Sequence, residues 1–74
     1  MPTHHETMAT PDQILQKALE KEKQARDFYA GLAADCTVLF VRELLEKLEN
    51  EEAKHVIMVQ NMLGRLQAGV DMVR

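Results

Sequence analysis

The stretch AADCTV, residues 33–38, interrupts a regular apolar pattern that runs on both sides of it. Before this stretch, apolar residues recur every three or four positions, as they do along one face of an α-helix. After it the same spacing resumes, and no alternating β pattern competes with it. A turn of about three residues between two long helices forces the helices into an antiparallel pair. The sequence therefore predicts an all-α, two-helix hairpin.

Local signals set the expected boundaries of this hairpin. Helix 1 is expected over about 11–34, because Thr10 is a candidate N-cap, Pro11 suits the first helical position and Gln13 can close a capping box. The turn is expected at 35–37, and helix 2 over about 38–66. The predicted organisation is a flexible N-terminal tail at 1–9, the hairpin at 10–68 and a C-terminal tail at 69–74.

Asp35 and Thr37 are the candidate caps for the second helix. Gly64 weakens the last turns of that helix by about 1 kcal/mol relative to alanine. Gly69 is a plausible stop for it.

Polar residues enter the apolar seam of each helix at the same level. Glu22 lies in the first seam, and Glu52 and His55 lie in the second. At about 1.5 Å per residue, Glu22 and Glu52 both lie roughly 21–24 Å from the turn, and His55 follows Glu52 on the same face. We therefore expect the three side chains to meet. The two seams are Leu15, Ala18, Glu22, Ala25, Tyr29, Leu32 and Val38, Val41, Leu45, Leu48, Glu52, His55, Val59, Met62, Leu66.

A divalent metal ion would satisfy all three polar groups at once. An ionised carboxylate in an apolar seam costs several kcal/mol unless it is paired or bound to a cation, and the nearby lysines fall off the seam. Glu51 lies about 100° around the helix from Glu52, so it is expected to neighbour the site rather than to bind the ion. Tyr29 is expected mainly to pack, and is a candidate for a hydrogen bond to the site. The alternative is a buried polar network that fixes the pairing register of a helical oligomer.

One hairpin supplies half of such a site. A chain of 74 residues with the single cysteine Cys36 has no internal disulfide to stabilise it. Two hairpins packed face to face would form a four-helix bundle with two copies each of Glu22, Glu52 and His55, the ligand set of di-iron carboxylate bundles. Oxygen and imidazole ligands suit iron, manganese or zinc. We expect two metal ions per dimer, and a dimer at least, with a larger ring left open. Off-seam apolar residues support an interface: Ile14, Leu19, Phe28, Phe40, Leu44, Ile57, Met58 and Leu63.

The segments EKQARDFY, residues 22–29, and LENEEAKH, residues 48–55, resemble the two helix signatures of the ferritin-like superfamily in its rubrerythrin-type form. The single copy of this half-motif is similar to the two-helix encapsulated ferritins, which build a di-iron centre across a dimer interface inside encapsulin shells. The resemblance implies a ferroxidase that oxidises Fe(II) for iron storage or detoxification, with two iron ions per dimer held by Glu22, Glu52 and His55.

Some features of that family are missing from the sequence. No cargo peptide for an encapsulin shell is visible after Gly69, and one cysteine cannot form a rubredoxin-type iron site. Lys21 and Lys23 flank Glu22, where an extra acidic entry site would be expected.

Charge and hydropathy narrow the expected partners. The nine Lys and Arg residues are interleaved with twelve Asp and Glu residues, for a net charge of −3, and form no basic stripe for nucleic acid. No apolar run approaches the roughly 18 residues of a membrane span. The lone thiol fits a reducing cytoplasm, and the resemblance adds the interior of an encapsulin compartment as another location.

Overall fold

The computed structural model describes residues 9–69, which form two helices joined by a short connection. Helix α1 spans Pro11–Asp35 and helix α2 spans Leu39–Gln67. The two helices pack against each other, which confirms the predicted all-helical hairpin. No helix in residues 9–69 has the length and apolar character needed to cross a bilayer. The tails expected at 1–9 and 69–74 lie almost entirely outside the described residues.

The start of α1 is fixed by reciprocal hydrogen bonds. The backbone N–H of Gln13 donates to Thr10 Oγ1 over 3.1 Å, and the backbone N–H of Thr10 donates to Gln13 Oε1 over 3.0 Å. Pro11 occupies the first turn, where its missing N–H costs no helical hydrogen bond. The predicted capping box is confirmed.

The connection between the helices contains no side-chain cap. The prediction that Asp35 or Thr37 caps the second helix is therefore wrong. Asp35 is still helical, and the N-cap of α2 is Val38, which makes no side-chain cap hydrogen bond. Other groups hold the turn: Arg42 Nε donates to the Cys36 carbonyl over 3.2 Å, and the Cys36 thiol lies 3.5 Å from the Val38 carbonyl. A long side chain from α2 thus stabilises the turn in place of a cap.

Gly69 follows the C-cap residue Ala68 at the end of α2, in agreement with its predicted role as a stop. Gly69 has a φ of +76°, a left-handed conformation that costs glycine little and other residues more. Its N–H donates to the Leu66 carbonyl over 3.1 Å, which satisfies a carbonyl that the helix leaves without a partner.

The contact between the helices follows the predicted seams over most of their length, where the seam residues are half-buried. The most deeply buried residues, however, each lie one position beyond a seam residue. The buried residues are Ala33, Val56 and Leu63, whereas the seam residues Leu32 and Met62 are 42% and 48% exposed. Leu63, which the sequence placed off the seam, is part of the core. Glu22 and Glu52 are half-buried in the same contact, and because water still reaches them, the full cost of burying their charge is avoided.

Candidate metal centre

Three ligand-type side chains converge halfway along the hairpin. Glu22 comes from α1, and Glu52 and His55 come from successive turns of α2. Glu52 and His55 share a face because residues three apart on a helix are neighbours. Glu22 reaches them because it lies about as far before the connection as Glu52 lies after it.

The distances are those of a compact cluster. His55 Nδ1 lies 3.2 Å from Glu52 Oε1 and 3.4 Å from Glu22 Oε1. One donor atom from each residue can be chosen such that all three lie within 4.8 Å of one another. Within residues 9–69, no other group of three His, Cys, Asp or Glu side chains is placed this closely. The proximity expected from counting along the helices is therefore present, while the role of these residues as ligands stays a prediction.

The two carboxyl groups and the imidazole of the cluster shift one another's pKa values. A side-chain hydrogen bond to Glu52, together with desolvation and the charge of Glu52, raises the pKa of Glu22. The same hydrogen bond lowers the pKa of Glu52, and contact with His55 lowers it further. Hydrogen bonding to Glu52, followed by the charges of both carboxylates, raises the pKa of His55. The raised pKa of His55 means that the carboxylates of the cluster favour a positive charge beside them.

The cluster is open on one side. The side chains of Glu22, Glu52 and His55 remain 30%, 21% and 43% exposed. If one chain enclosed the metal site by itself, we would expect these side chains to be less exposed, because the residues around a metal site orient its ligands and control the access of water. The open side is therefore the side from which further ligands could come.

Exposed apolar residues lie along one flank of both helices, on either side of the level of the cluster, and we call them the open face. They recur at intervals of four and fourteen residues along each helix, which returns them to one flank. Measured from Glu22 on α1 and from Glu52 on α2, both flanks are rotated by roughly 80–120° in the same sense. In antiparallel helices, equal rotations bring both flanks to one side of the hairpin. The open face comprises Ile14, Phe28, Leu32, Phe40, Leu44, Met58 and Met62.

Two further residues that the sequence connected with the site lie beside it. Glu51 is 3.8 Å from Lys54 Nζ, with which it forms an ion pair. The ring of Tyr29 packs edge-on against Phe28, with centroids 5.5 Å apart. In the described part of the chain, no hydrogen bond joins either residue to the cluster. Their predicted roles near a metal ion stay predictions.

The donor set fits a first-row divalent metal ion. Two carboxylates and one imidazole suit iron, manganese or zinc, whereas calcium and magnesium favour oxygen ligands throughout. Glu22, Glu52 and His55 would be the residues that hold the ion. Three side chains leave the ion open to further ligands, so the site in one chain is incomplete for an enclosed centre.

Comparison with protein-family models, with curated proteins and with solved structures finds no match to this chain. The likeness to the ferritin-like superfamily thus depends on the two motifs and on the placement of their residues.

Proposed function

We propose that this chain is one half of a di-metal carboxylate protein, in which two copies complete a four-helix bundle and oxidise Fe(II). The observation that carries the proposal is the cluster of Glu22, Glu52 and His55, which is partly exposed and lies level with the middle of the apolar open face.

The charge of the cluster favours a cation. Within residues 9–69, the ion pairs of Glu22 and Glu52 are both made with His55, and a single imidazolium cannot neutralise two carboxylates. Two copies of the cluster would contribute four carboxylates, which balance the charge of two divalent ions. Manganese and zinc fit the same ligands, and iron is proposed on the strength of the motif resemblance.

The small hydrophobic core of one hairpin favours association with a second copy of the chain. Only Ala33, Val56 and Leu63 are buried among the described residues, and burying a valine or leucine contributes about 1.5–3 kcal/mol. This is small beside the entropic cost of ordering a chain of this size. The open face has the dimensions of an interface: helices of 25 residues or more give about 37 Å by 20 Å, which approaches the roughly 800 Å² per partner of a stable complex.

The proposed reaction is oxidation of Fe(II) as substrate. Two Fe(II) ions would each give up one electron to O₂, which would take up two protons and leave as hydrogen peroxide. The chain's part is to hold the ions with Glu22, Glu52 and His55, to exclude bulk water with the apolar face and to release the protons of the cluster when the ions bind. The product would serve iron storage or detoxification.

Metal content is the decisive measurement. Protein purified without chelator should contain about one metal ion per chain, as a two-ion site in a dimer requires, and should accelerate Fe(II) oxidation. Glu52→Ala and His55→Ala should abolish both properties. Glu46→Ala is the matched control, because Glu46 is exposed on the same helix away from the cluster. A metal-free wild-type protein that binds no added Fe(II), Mn(II) or Zn(II) would overturn the proposal.

A second candidate is a helical interaction module without metal chemistry. It is favoured by the contacts of His55 Nδ1, which lies 3.2 Å from Glu52 Oε1 and 3.4 Å from Glu22 Oε1 and so pairs with the carboxylates without an ion. In that case the polar residues set the register of helix pairing. Apo and metal-treated protein would then assemble alike, and Glu52→Ala would leave the oligomer intact.

A further inference from the structure

Two methionines of the open face lie close to His55 on α2. Met58 follows His55 by three residues, and residues three apart are neighbours on the surface of a helix. Met62 follows Met58 by one further turn, about 6 Å along the axis. The two side chains are 56% and 48% exposed in one hairpin. Small solutes can therefore reach both thioethers whenever the chain is unpaired.

The surroundings of Met62 already contain a partner for an added oxygen atom. The guanidinium of Arg65 donates a hydrogen bond from Nη1 to Met62 Sδ over 4.0 Å. A thioether sulfur is a weak acceptor, whereas the oxygen of a sulfoxide is a strong one, and a charged donor strengthens the bond. Arg65 can thus hold an oxidised Met62 at the surface of the free hairpin.

We propose that Met58 and Met62 form an oxidation site through which hydrogen peroxide controls the pairing of the chain. This inference rests on the proposed function, since that reaction releases peroxide and uses the open face as the dimer interface. One oxygen atom of the peroxide is transferred to each thioether, which becomes a sulfoxide, and the other leaves as water. The sulfur loses two electrons and the peroxide gains two, so no further reactant is needed.

Oxidation converts two apolar side chains of the interface into polar ones. A sulfoxide carries a dipolar S–O group, and it disrupts interfaces that contain methionine. Docking covers the exposed part of Met58 and Met62, and a buried polar group without a hydrogen-bond partner costs free energy. The free hairpin avoids this cost, because water reaches both oxygens and Arg65 reaches that of Met62. Oxidation therefore favours the unpaired chain.

The position of the two sulfurs gives the proposed reaction a limit set by its own product. Peroxide formed at an ion held by His55 arises within about one helical turn of Met58, and peroxide in solution reaches both sulfurs when the pair separates. An oxidised chain no longer pairs, and one hairpin supplies only half of the proposed site. Accumulated peroxide thus lowers the number of complete sites. Methionine sulfoxide reductases reverse the modification, so reduction restores pairing.

Peroxide treatment followed by measurement of the dimer Kd tests this inference. The metal-free protein is treated with hydrogen peroxide, the peroxide is removed, and sedimentation equilibrium is run without metal and with Zn(II), which has no redox chemistry of its own. Mass spectrometry of the tryptic peptide 55–65, which contains both methionines, establishes that each has gained one oxygen atom. Lost apolar burial of two side chains in both copies should raise Kd by about 10³-fold. Treatment with methionine sulfoxide reductases should restore the original Kd.

Replacing both methionines by leucine gives the matched control. Leucine has a similar volume, and peroxide does not oxidise it. Each chain is compared with itself before treatment, and the Kd of the Met58→Leu/Met62→Leu chain should change by less than about threefold. The variant keeps the other oxidisable side chains of the sequence, which are Cys36, Met1, Met8 and Met72.

The remaining outcomes separate this inference from the proposed function. If the wild type pairs before treatment and keeps its Kd when Met58 and Met62 are both sulfoxides, the oxidation site is overturned and the proposed function stands. The same holds if peroxide oxidises neither methionine, or if the leucine variant loses pairing as much as the wild type. An untreated protein that stays monomeric with and without metal would overturn both.

Discussion

Replacing Met58 by alanine is expected to weaken the dimer, whereas replacing the adjacent Ile57 is not. The two side chains are almost equally exposed in one hairpin, at 56% and 58%. Met58 belongs to the open face, while Ile57 is rotated by about 100° away from it. Both substitutions remove an exposed apolar side chain of similar size, so the comparison tests where the interface lies.

The magnitude follows from the exposed fraction of Met58. Full burial of a methionine contributes roughly 2 kcal/mol, and docking can remove only the 56% that is still exposed, which gives about 1 kcal/mol per copy. The side chain occurs twice in a dimer, so the loss is about 2 kcal/mol, or an increase in Kd of about 30-fold. Adding Leu44→Ala, at 54% exposure, should bring the total to about 4 kcal/mol, or roughly 10³-fold.

Sedimentation equilibrium of the metal-free and metal-loaded proteins measures these constants directly. The Met58→Ala chain should show the higher Kd in both forms, and Ile57→Ala should match the wild type within about threefold. Equal effects of the two substitutions, or none from either, would refute the assignment of the open face. Circular dichroism before each run establishes that the variants are still helical.

Three other predictions concern the cluster and the helices. Glu22→Gln should reduce metal binding from about one ion per chain to none, while Glu20→Gln, which changes an exposed carboxylate two residues away, should bind normally; equal binding by both variants would remove Glu22 from the site. Hydrogen bonding to Glu52 and the nearby carboxylate charges raise the pKa of His55 above its ordinary 6.5, so its contribution to the metal-free fold is complete below that value and is lost as the pH rises through the higher folded pKa. Urea midpoints measured against pH should therefore fall across this range in the wild type and not in His55→Ala, and parallel curves would contradict the coupling. Gly64→Ala should raise the free energy of unfolding by about 0.5–1 kcal/mol, because Gly64 is inside α2 with open space where a Cβ would lie; a lower urea midpoint would show that the glycine has another role.

The sequence predicted what depends on local chemistry and counting. The Thr10–Pro11–Gln13 signal specifies a capping box through neighbours in the chain, so it needs no knowledge of tertiary structure. The meeting of Glu22 with His55 follows from the constant rise of an α-helix on either side of a short turn. Both are properties that a single sequence contains in full.

What the sequence did not predict depends on how the two helices fit together. The packing of one helix surface on the other decides that Val56 and Leu63 are the most deeply buried while Met62 is exposed, and the three-four spacing alone does not rank these positions. The Arg42 contact that holds the turn depends on the conformation of the connection, which the capping signals of the sequence did not specify. Metal identity and catalysis depend on groups outside the chain, and they stay predictions.

The open position of the cluster has a consequence for how metal affinity should be reported. In the proposed dimer, the ligands and the association surface lie on the same face, so each copy of the chain is a ligand for the other's metal site. Linkage then makes the two equilibria reciprocal: metal tightens association by the same factor by which association tightens metal binding. The concentration of the protein would thus act as an effector of its own metal affinity, and dilution alone would release the ions.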